Sequence, residues 1–203
     1  MSNESPESLS LPSFSFPSGD VTVLVHVDDD AKWLASSAAL STASPVWSKF
    51  LFPLWSTDSS VPVKEIDCSN DDLFALAILF DIAHMKFRSV PDNINLQQLY
   101  QIAILLDQYA CIELVQPWLK GWLAGKKKTQ RENKDIWLLI AWVFGLEDTF
   151  VELARKVVRE AKIDEEGNYL SKEGKIMSDP MPHGLIGTFF LLPFCSSPAV
   201  GGG

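Results

Sequence analysis

Three histidines, His26, His84 and His183, are the first side chains that could do acid–base chemistry near neutral pH. A catalytic histidine needs a nucleophile and an orienting acid within hydrogen-bond reach. His26 lies in an alternating apolar run, His84 at the end of a helical pattern and His183 in an irregular tail. The sequence has no G-x-S-x-G, P-loop, G-x-G-x-x-G or H-E-x-x-H motif. We therefore expect no catalytic residue and no enzyme activity, and we assign His84 a structural role at a helix end.

Metal ligands are the second kind of chemistry to consider. Cys68, Cys111 and Cys195 are an odd number of cysteines without a C-x-x-C pair, which argues against a disulfide framework and a zinc site. Free, buried thiols suit a reducing compartment. The run Asp28–Asp30 lacks the glycine and the downstream bidentate glutamate of a calcium loop. We expect a solvated hairpin tip there, and neither a metal nor another cofactor.

The charge distribution limits the classes of partner. A net charge of −9 opposes binding to nucleic acid, because affinity for the phosphate backbone comes from clustered Lys and Arg. Lys126–Lys128 with Arg131 form a basic run, which is either a solvated linker between helices or a nuclear-import or anion-contact patch. The first residues are polar and acidic, and no apolar stretch reaches the roughly 18–20 residues of a membrane span. We expect no membrane association and a cytoplasmic or nuclear location.

The elements that must position these side chains begin with strands. Residues 1–17 are rich in Ser and Pro, which predicts a disordered leader. Val21–Val27 alternate with period two, and Lys32–Ala35 return as the second strand of a hairpin. Two serine-capped helices and a third short strand follow, with their starts at Ser36 or Ser37, at Ser44 and at Val63.

Helical patterns fill the remainder of the first 125 residues. The acidic start at Asn70–Asp72 opens a helix that is apolar most of the way round and should therefore be central. Phe80 lies at the crossing of its two apolar stripes and should be fully buried. Leu96–Tyr109 form the next helix, and Cys111–Leu123 form another, which Pro117 should bend or restart.

A shift in composition at Gly125–Lys128 marks a domain boundary. Strands followed by paired helices predict an α+β core with a C-terminal helical extension. The expected organisation is a leader at 1–17, a core domain at 18–125, a helical hairpin at 126–163, and a polar linker with an irregular apolar tail at 164–203.

The seven tryptophans suit either interface anchors or a large core, and both alternatives stay open. Trp118 and Trp122 are four residues apart and share a helix face. Trp137 and Trp142 fall on opposite sides of an apolar stripe, so one of them should lie outside the local core.

The order of elements and five motifs resemble the BTB/POZ family, in particular its fungal-type members. Gly19–Thr22 resembles the family's first-strand opening. Trp33–Trp47 resembles the signature aromatic-x-x-His-Ser-x-x-Leu-x-x-x-Ser-x-x-aromatic, in the variant with Ser in place of His. Ile82–Lys86 is similar to an Ile-Leu-His-Gly-Arg turn, Leu105–Cys111 to an Ala-Asp-Lys-Tyr-x-Cys run, and Pro117–Trp122 to a trailing helix.

The resemblance covers roughly residues 18–125 and implies a BTB/POZ fold, a small three-stranded sheet capped by helical hairpins. It also implies protein binding without catalysis. We expect the chain to pair with itself or with partner proteins through an exposed first strand and the first helices. For Asp20 and Lys49 two alternatives stay open, a charged groove of the kind the family forms or a helix-capping or surface pair. The expected interface residues are Asp20, Val21, Val23, Trp33, Leu40, Trp47 and Lys49.

The alternative function is that of a substrate adaptor of a cullin-based ubiquitin ligase. Cullin-binding members of the family carry a hydrophobic-x-Glu motif before the third strand. Here the window reads Trp55-Ser56-Thr57, with no acid at the third place. The chain departs from the cullin-binding pattern at this point, and we expect weak or absent binding to a cullin.

Overall fold

The structure is a computed structural model of the 203-residue chain, and it describes residues 13–25, 32–54, 58, 60–131, 133–160, 162–164 and 169–170. The chain divides into two compact units, Met1–Gly125 and Lys126–Gly203. In the described residues a three-stranded sheet is combined with seven α-helices. The predicted α+β class is therefore confirmed. None of the helices within these ranges combines the length and the apolar character needed to cross a bilayer.

The sheet of the first unit contains β1 (Val21–Leu24), β2 (Lys32–Ala35) and β3 (Glu65–Asp67) in the order β2-β1-β3. β1 pairs antiparallel with β2 and parallel with β3. Both edges of β1 are therefore occupied, and the expectation of an exposed first strand is wrong. The strand is also shorter than predicted, since it ends at Leu24, and residues 26–31 lie outside the described residues.

Part of the predicted disordered leader is structured. Residues 13–18, which we call the strap, run along the outer edge of β2, where Ser15 forms a parallel bridge with Leu34. Phe14 is 4% exposed, so the strap contributes a side chain to the core. A composition rich in Ser and Pro gave no indication of this contact, which two aromatic side chains make: Phe14 in the core and Phe16 beside His84. Residues 1–12 lie outside the described residues.

Glycine is required at position 19, where the strap ends and the chain crosses the end of β2. A Cβ atom there would lie 2.6 Å from Leu34 Cγ and 2.8 Å from the Ala35 carbonyl oxygen. Both distances are shorter than real Cβ contacts. The close approach of the two backbones therefore depends on the missing side chain.

Two short helices follow β2, α1 (Ser37–Ala43) and α2 (Pro45–Leu51), and both begin where the sequence predicts. Ser36 Oγ accepts a hydrogen bond from the Ala39 amide, and Ser44 Oγ accepts from two amides of the first turn of α2. The Ser44 hydroxyl also donates to the Tyr109 carbonyl oxygen at 2.6 Å. The cap of α2 thus joins this helix to a segment 65 residues away.

Helix α3 (Leu73–Ala83) is central to the first unit, as predicted. Phe80 is fully buried and packs edge-on against Trp47, with ring centroids 5.3 Å apart. The buried residues of α3 cover more than half of the helix circumference: Ala75, Leu76, Ile78, Leu79, Phe80 and Ile82. Asp72 caps the first turn by accepting from the Ala75 amide.

Two more helices complete the first unit. Helix α4 (Leu96–Gln108) begins with a capping box between Asn95 and Gln98. A short 3-10 turn at Ile112–Val115 then leads into α5 (Gln116–Leu123), with Pro117 in its first turn. The predicted restart of the helix near Pro117 is confirmed.

The second unit contains a 3-10 turn at Lys126–Arg131, α6 (Lys134–Val143) and α7 (Glu147–Glu160). Gly145, with φ of 64°, allows the sharp reversal between the two helices. Trp137 is buried while Trp142 is 48% exposed, so the prediction that one of them lies outside the core is confirmed.

A short two-stranded sheet follows α7, in which β4 (Lys162–Ile163) pairs antiparallel with β5 (Tyr169–Leu170). The sequence predicts only a polar loop from residue 164 onward, so β5 is an element that the pattern missed. Two-residue strands carry too little periodicity to be recognised. The predicted apolar tail lies outside the described residues, which end at position 170.

Candidate interaction surface

His84 has both ring nitrogens engaged by the backbone. Its Nδ1 lies 2.8 Å from the Phe80 carbonyl oxygen, and the Ser36 amide donates to Nε2 at 2.9 Å. A carbonyl only accepts, so Nδ1 carries the proton and the ring is neutral. Burial is the largest cause that lowers the pKa of His84, and the nearby Lys86 lowers it further. His84 therefore ties the end of α3 to the start of α1.

A second polar cluster contains Cys68, Asp71 and Tyr109. The Tyr109 hydroxyl donates to the Asp71 carboxylate and lies 3.8 Å from Cys68 Sγ. Gln108 donates to the same carboxylate at 3.2 Å. Burial raises the pKa of the Cys68 thiol to about 12, and it raises that of the Cys111 thiol to about 12 as well. Both thiols stay protonated at neutral pH, and a protonated thiol is a poor nucleophile.

A metal site would need several His, Cys, Asp or Glu side chains close together. Within the described ranges no three His, Cys, Asp or Glu side chains come together in a group that could hold a metal ion. His26, Asp28–Asp30, His183 and Cys195 lie outside those ranges.

One open depression follows the outer face of α7. It is lined by Val151 and by six charged side chains: Glu147, Asp148, Glu152, Arg155, Lys156 and Arg159. Sites for small organic ligands are concave and mostly apolar. The depression is therefore a charged helix surface rather than a pocket for such a ligand.

Five of the seven expected interface residues lie in the core of the first unit. Val21, Val23, Leu40 and Trp47 are fully buried, and Trp33 is 3% exposed. This corrects the expectation that their side chains face a partner, because their apolar area is already covered by the same chain. The physical reason is the central place of β1, which turns one face of the hairpin onto α3.

The two charged members of the expected set remain at the surface but do not meet. The Asp20 carboxylate accepts from the Ser37 amide and from its hydroxyl, both at 2.7 Å. Burial is the largest single cause and raises the pKa of Asp20, but the hydrogen bonds to the carboxylate together outweigh it, so the pKa lies below its ordinary value. Lys49 is exposed on α2, and among the described residues no ion pair joins it to Asp20. Asp20 thus supports the start of α1, as a helix-capping carboxylate does.

A group of apolar side chains is exposed where α2 ends, and we call it the α2 surface. It consists of Phe50, Leu54 and Val61, which are 51%, 96% and 54% exposed. The Val63 amide donates to the Leu51 carbonyl oxygen at 2.8 Å, which brings the returning loop against the end of the helix. Clustered exposed apolar residues of this kind mark interaction sites more often than single ones do.

Trp47, Phe50 and Leu51 are the large apolar residues of α2. The structure separates them, since Trp47 and Leu51 are fully buried and Phe50 is half exposed. Phe50 lies three residues after Trp47 and one before Leu51, on the flank of the face that these two bury. Because residues three and four apart both share a helix face, periodicity alone would not have identified Phe50 as exposed.

Another apolar group lies beyond the end of α3. Met85 and Phe87 are 76% and 52% exposed, and the Phe87 ring lies 5.7 Å from Trp118. Trp118 stacks on Trp122 at 6.4 Å, which confirms that these two share a face. Trp122 is buried and donates its indole N–H to the Pro91 carbonyl oxygen. The row of rings therefore runs from the surface into the core.

The window Trp55–Thr57, where cullin-binding members of the BTB/POZ family carry their motif, lies outside the described residues.

Comparison with known proteins adds no assignment. No protein-family model matches the chain, and no curated protein matches it.

Proposed function

We propose that this chain is a non-catalytic protein–protein interaction module with a BTB/POZ fold, and that it pairs with a second copy of itself through the α2 surface. The exposed apolar group at the end of α2 is the observation that carries the proposal. The five ordered motifs between Gly19 and Trp122 support the family assignment. The three-stranded sheet and the paired helices are compatible with it.

The energetic case rests on the area that the α2 surface leaves in water. Burying one Leu, Val or Phe side chain contributes roughly 1.5–3 kcal/mol relative to full exposure. A twofold interface uses each residue twice, because the same patch lies on both subunits. A micromolar dimer needs about 8 kcal/mol after the cost of association. The side chains of Phe50 and Leu54 can supply a large share of this, together with Val61.

Sedimentation equilibrium of the full chain tests this proposal. We expect a dimer at micromolar concentration, and at least a tenfold weaker dimer for Leu54→Ser. Met85→Ser is the matched control, because Met85 is also exposed but lies at the end of α3. A monomer up to about 100 micromolar, where only pairing weaker than roughly 5 kcal/mol is missed, would contradict self-association. Equal weakening by both variants would contradict the α2 surface.

A substrate-adaptor role in a cullin-based ubiquitin ligase is the second candidate function. The observation in its favour is the exposure of Leu54, which directly precedes the Trp55–Thr57 window. Thr57 stands where cullin-binding relatives carry a carboxylate, so we expect weak or no binding to a cullin N-terminal region. Gain of cullin binding by Thr57→Glu would support the missing carboxylate as the cause of weak binding. Submicromolar binding by the unchanged chain would favour the adaptor role.

A further inference from the structure

The strap is held on the first unit in the way that a bound peptide is held on a sheet edge. The Phe16 amide donates to the Leu34 carbonyl oxygen at 2.8 Å, and Lys86 Nζ donates to the Ser15 carbonyl oxygen at 2.7 Å. Ser13 and Ser15 are exposed, Phe16 is half-buried with its ring 4.9 Å from His84, and only Phe14 is fully enclosed. Main-chain pairing with one anchored side chain is the pattern of strand addition to a sheet.

Phe14 fills a groove whose walls are aromatic. Its ring lies 6.1 Å from Trp33, 5.4 Å from Phe80 and 4.8 Å from His84. The contact with Phe80 is edge-to-face, at an interplanar angle of 89°. Lys86 Nζ lies 4.2 Å from the centre of the Phe14 ring. Edge-to-face and cation–π contacts both need a ring, so the groove favours an aromatic residue over an aliphatic one.

The walls of the groove are positioned by contacts that do not involve the strap. Hydrogen bonds to the backbone at Ser36 and Phe80 fix the His84 ring. Trp33 is held in β2 by its pairing with Val23 of β1. Phe80 packs on Trp47. The groove therefore keeps its shape when the strap is lifted, and a preformed groove binds a partner without the cost of ordering it.

We infer that this groove, between the outer edge of β2 and the end of α3, is a docking site for an extended peptide segment with an aromatic anchor residue. The strap is its internal occupant. The incoming peptide would place its anchor ring where Phe14 lies, and its amide two residues later would donate to the Leu34 carbonyl oxygen. This inference rests on the proposed function as a protein–protein interaction module, and it names the class of partner: a peptide with an aromatic anchor residue.

The strap and a peptide compete for the same groove. A tethered segment has an effective concentration on the order of millimolar, so a micromolar peptide binds only when the strap opens. Segments held by few hydrogen bonds and one buried side chain open more readily than central strands. The strap therefore reduces the affinity for a partner without abolishing it.

Binding of a fluorescent octapeptide with the sequence of residues 11–18, LPSFSFPS, to the full-length chain tests the proposal. Phe14→Ala should bind this peptide at least tenfold more tightly than the unchanged chain, because it removes the competing ring and leaves the groove. The matched control peptide, with Ala at the anchor position, should bind neither chain. Equal binding of the two peptides, or no saturation by a folded Phe14→Ala chain up to about 1 mM, would overturn the site.

Two further measurements keep the outcome decisive. If Phe14→Ala does not fold, Phe14→Leu retains most of the buried volume and should show a smaller gain in the same direction. In the unchanged chain, saturating peptide should shift the NMR signals of the Trp33 indole and the Phe16 amide. Absence of both the gain and the shifts would refute the proposal.

The proposed function and this site can fail separately. Leu54→Ser should bind the octapeptide as tightly as its parent, since Leu54 belongs to the α2 surface and not to the groove. A chain that stays monomeric yet binds the peptide would contradict self-association alone. A dimer that does not bind it would contradict the groove alone.

Discussion

Helices α3 and α7 represent two ways in which this chain buries apolar surface. α3 has one charged residue, Asp81, and its buried side chains cover more than half of the helix circumference. α7 has seven charged residues among fourteen, with Leu153, Ala154 and Val157 buried on one face. The sequence of a helix that is apolar on all sides predicts a central position but not an orientation. The sequence of an amphipathic helix predicts which face is buried.

The polar contacts of the two helices differ as well, since the histidine at the end of α3 is buried and the ion pairs of α7 are at least partly exposed. α3 ends at a buried, neutral histidine bonded to the backbone. α7 is supported by two ion pairs, a half-buried one between Lys134 and Glu160 and an exposed one between Glu152 and Lys156, each at 2.5 Å. We therefore expect α3 to respond strongly to changes in volume and in proton concentration, and α7 to respond weakly to changes in charge.

The largest effect is expected for Phe80→Ala in α3. Loss of a fully buried ring removes transfer energy and leaves a cavity, at a cost of about 3–5 kcal/mol. Phe87→Ala is the matched control beyond the end of the same helix, and as a half-exposed residue it should cost under about 1 kcal/mol. Urea unfolding of both variants gives the comparison. Similar losses would show that α3 is not the centre of the unit.

Leu153→Ala in α7 should have the next largest effect. Leu153 is 4% exposed, and truncation of a buried leucine costs about 2–5 kcal/mol. Val151→Ala is the matched control on the exposed side of the helix. It should be neutral or slightly stabilising, because Ala is the better helix former by up to about 0.7 kcal/mol. Thermal melting distinguishes the two, and equal losses would contradict the assignment of the buried face.

His84→Gln should change the pH dependence of stability. Burial lowers the pKa of His84 below its ordinary value of 6.5, so the unfolded chain binds the proton more tightly. Stability is then fully present above pH 6.5 and is lost as the pH falls below it, by at most about 1.4 kcal/mol per pH unit.

Glutamine retains an acceptor for the Ser36 amide but does not titrate, so His84→Gln should flatten the profile below pH 6.5. Met85→Gln, at the exposed residue next to His84, is the control and should leave the profile unchanged because neither side chain titrates. Denaturant unfolding across this range is the measurement. Identical profiles for His84→Gln and the unchanged chain would contradict the neutral, buried assignment.

The smallest effect is expected for Glu152→Gln on the outer face of α7. The pair with Lys156 is exposed and spaced by four residues, and such pairs contribute about 0.3–0.5 kcal/mol. High salt screens the interaction, so the difference from the unchanged chain should vanish near 1 M NaCl. A loss above about 1 kcal/mol that persists in salt would show that α7 depends on its charges as α3 depends on its volume.

Much of the local structure could be predicted from the residues, because its causes are local. Ser36, Ser44 and Asp72 cap helices where the sequence places them. Pro117 restarts a helix. The apolar residues on most sides of α3 predicted that this helix is central. In each case the side chain that decides the structure lies within four residues of the backbone that it affects.

The candidate surface could be predicted only in part. The residues Val21, Val23, Trp33, Leu40 and Trp47 were expected at an interface and are buried. Apolar residues in strands and first helices suit a core or a partner equally well, and the order of strands decides between the two. Phe50 and Leu54 are exposed because Trp47 and Leu51 already fill the inner face of α2.

The sequence by itself determined the α+β class, the starts of the helices and the central helix of the first unit. Propensity, capping and periodicity act over a few residues and need no knowledge of distant ones. Only the tertiary structure decided that β1 lies between β2 and β3, that Phe14 packs against α3, and that the α2 surface stays in water. These outcomes depend on contacts between residues far apart in the chain. The local sequence around an apolar residue does not indicate which distant residue will pack against it.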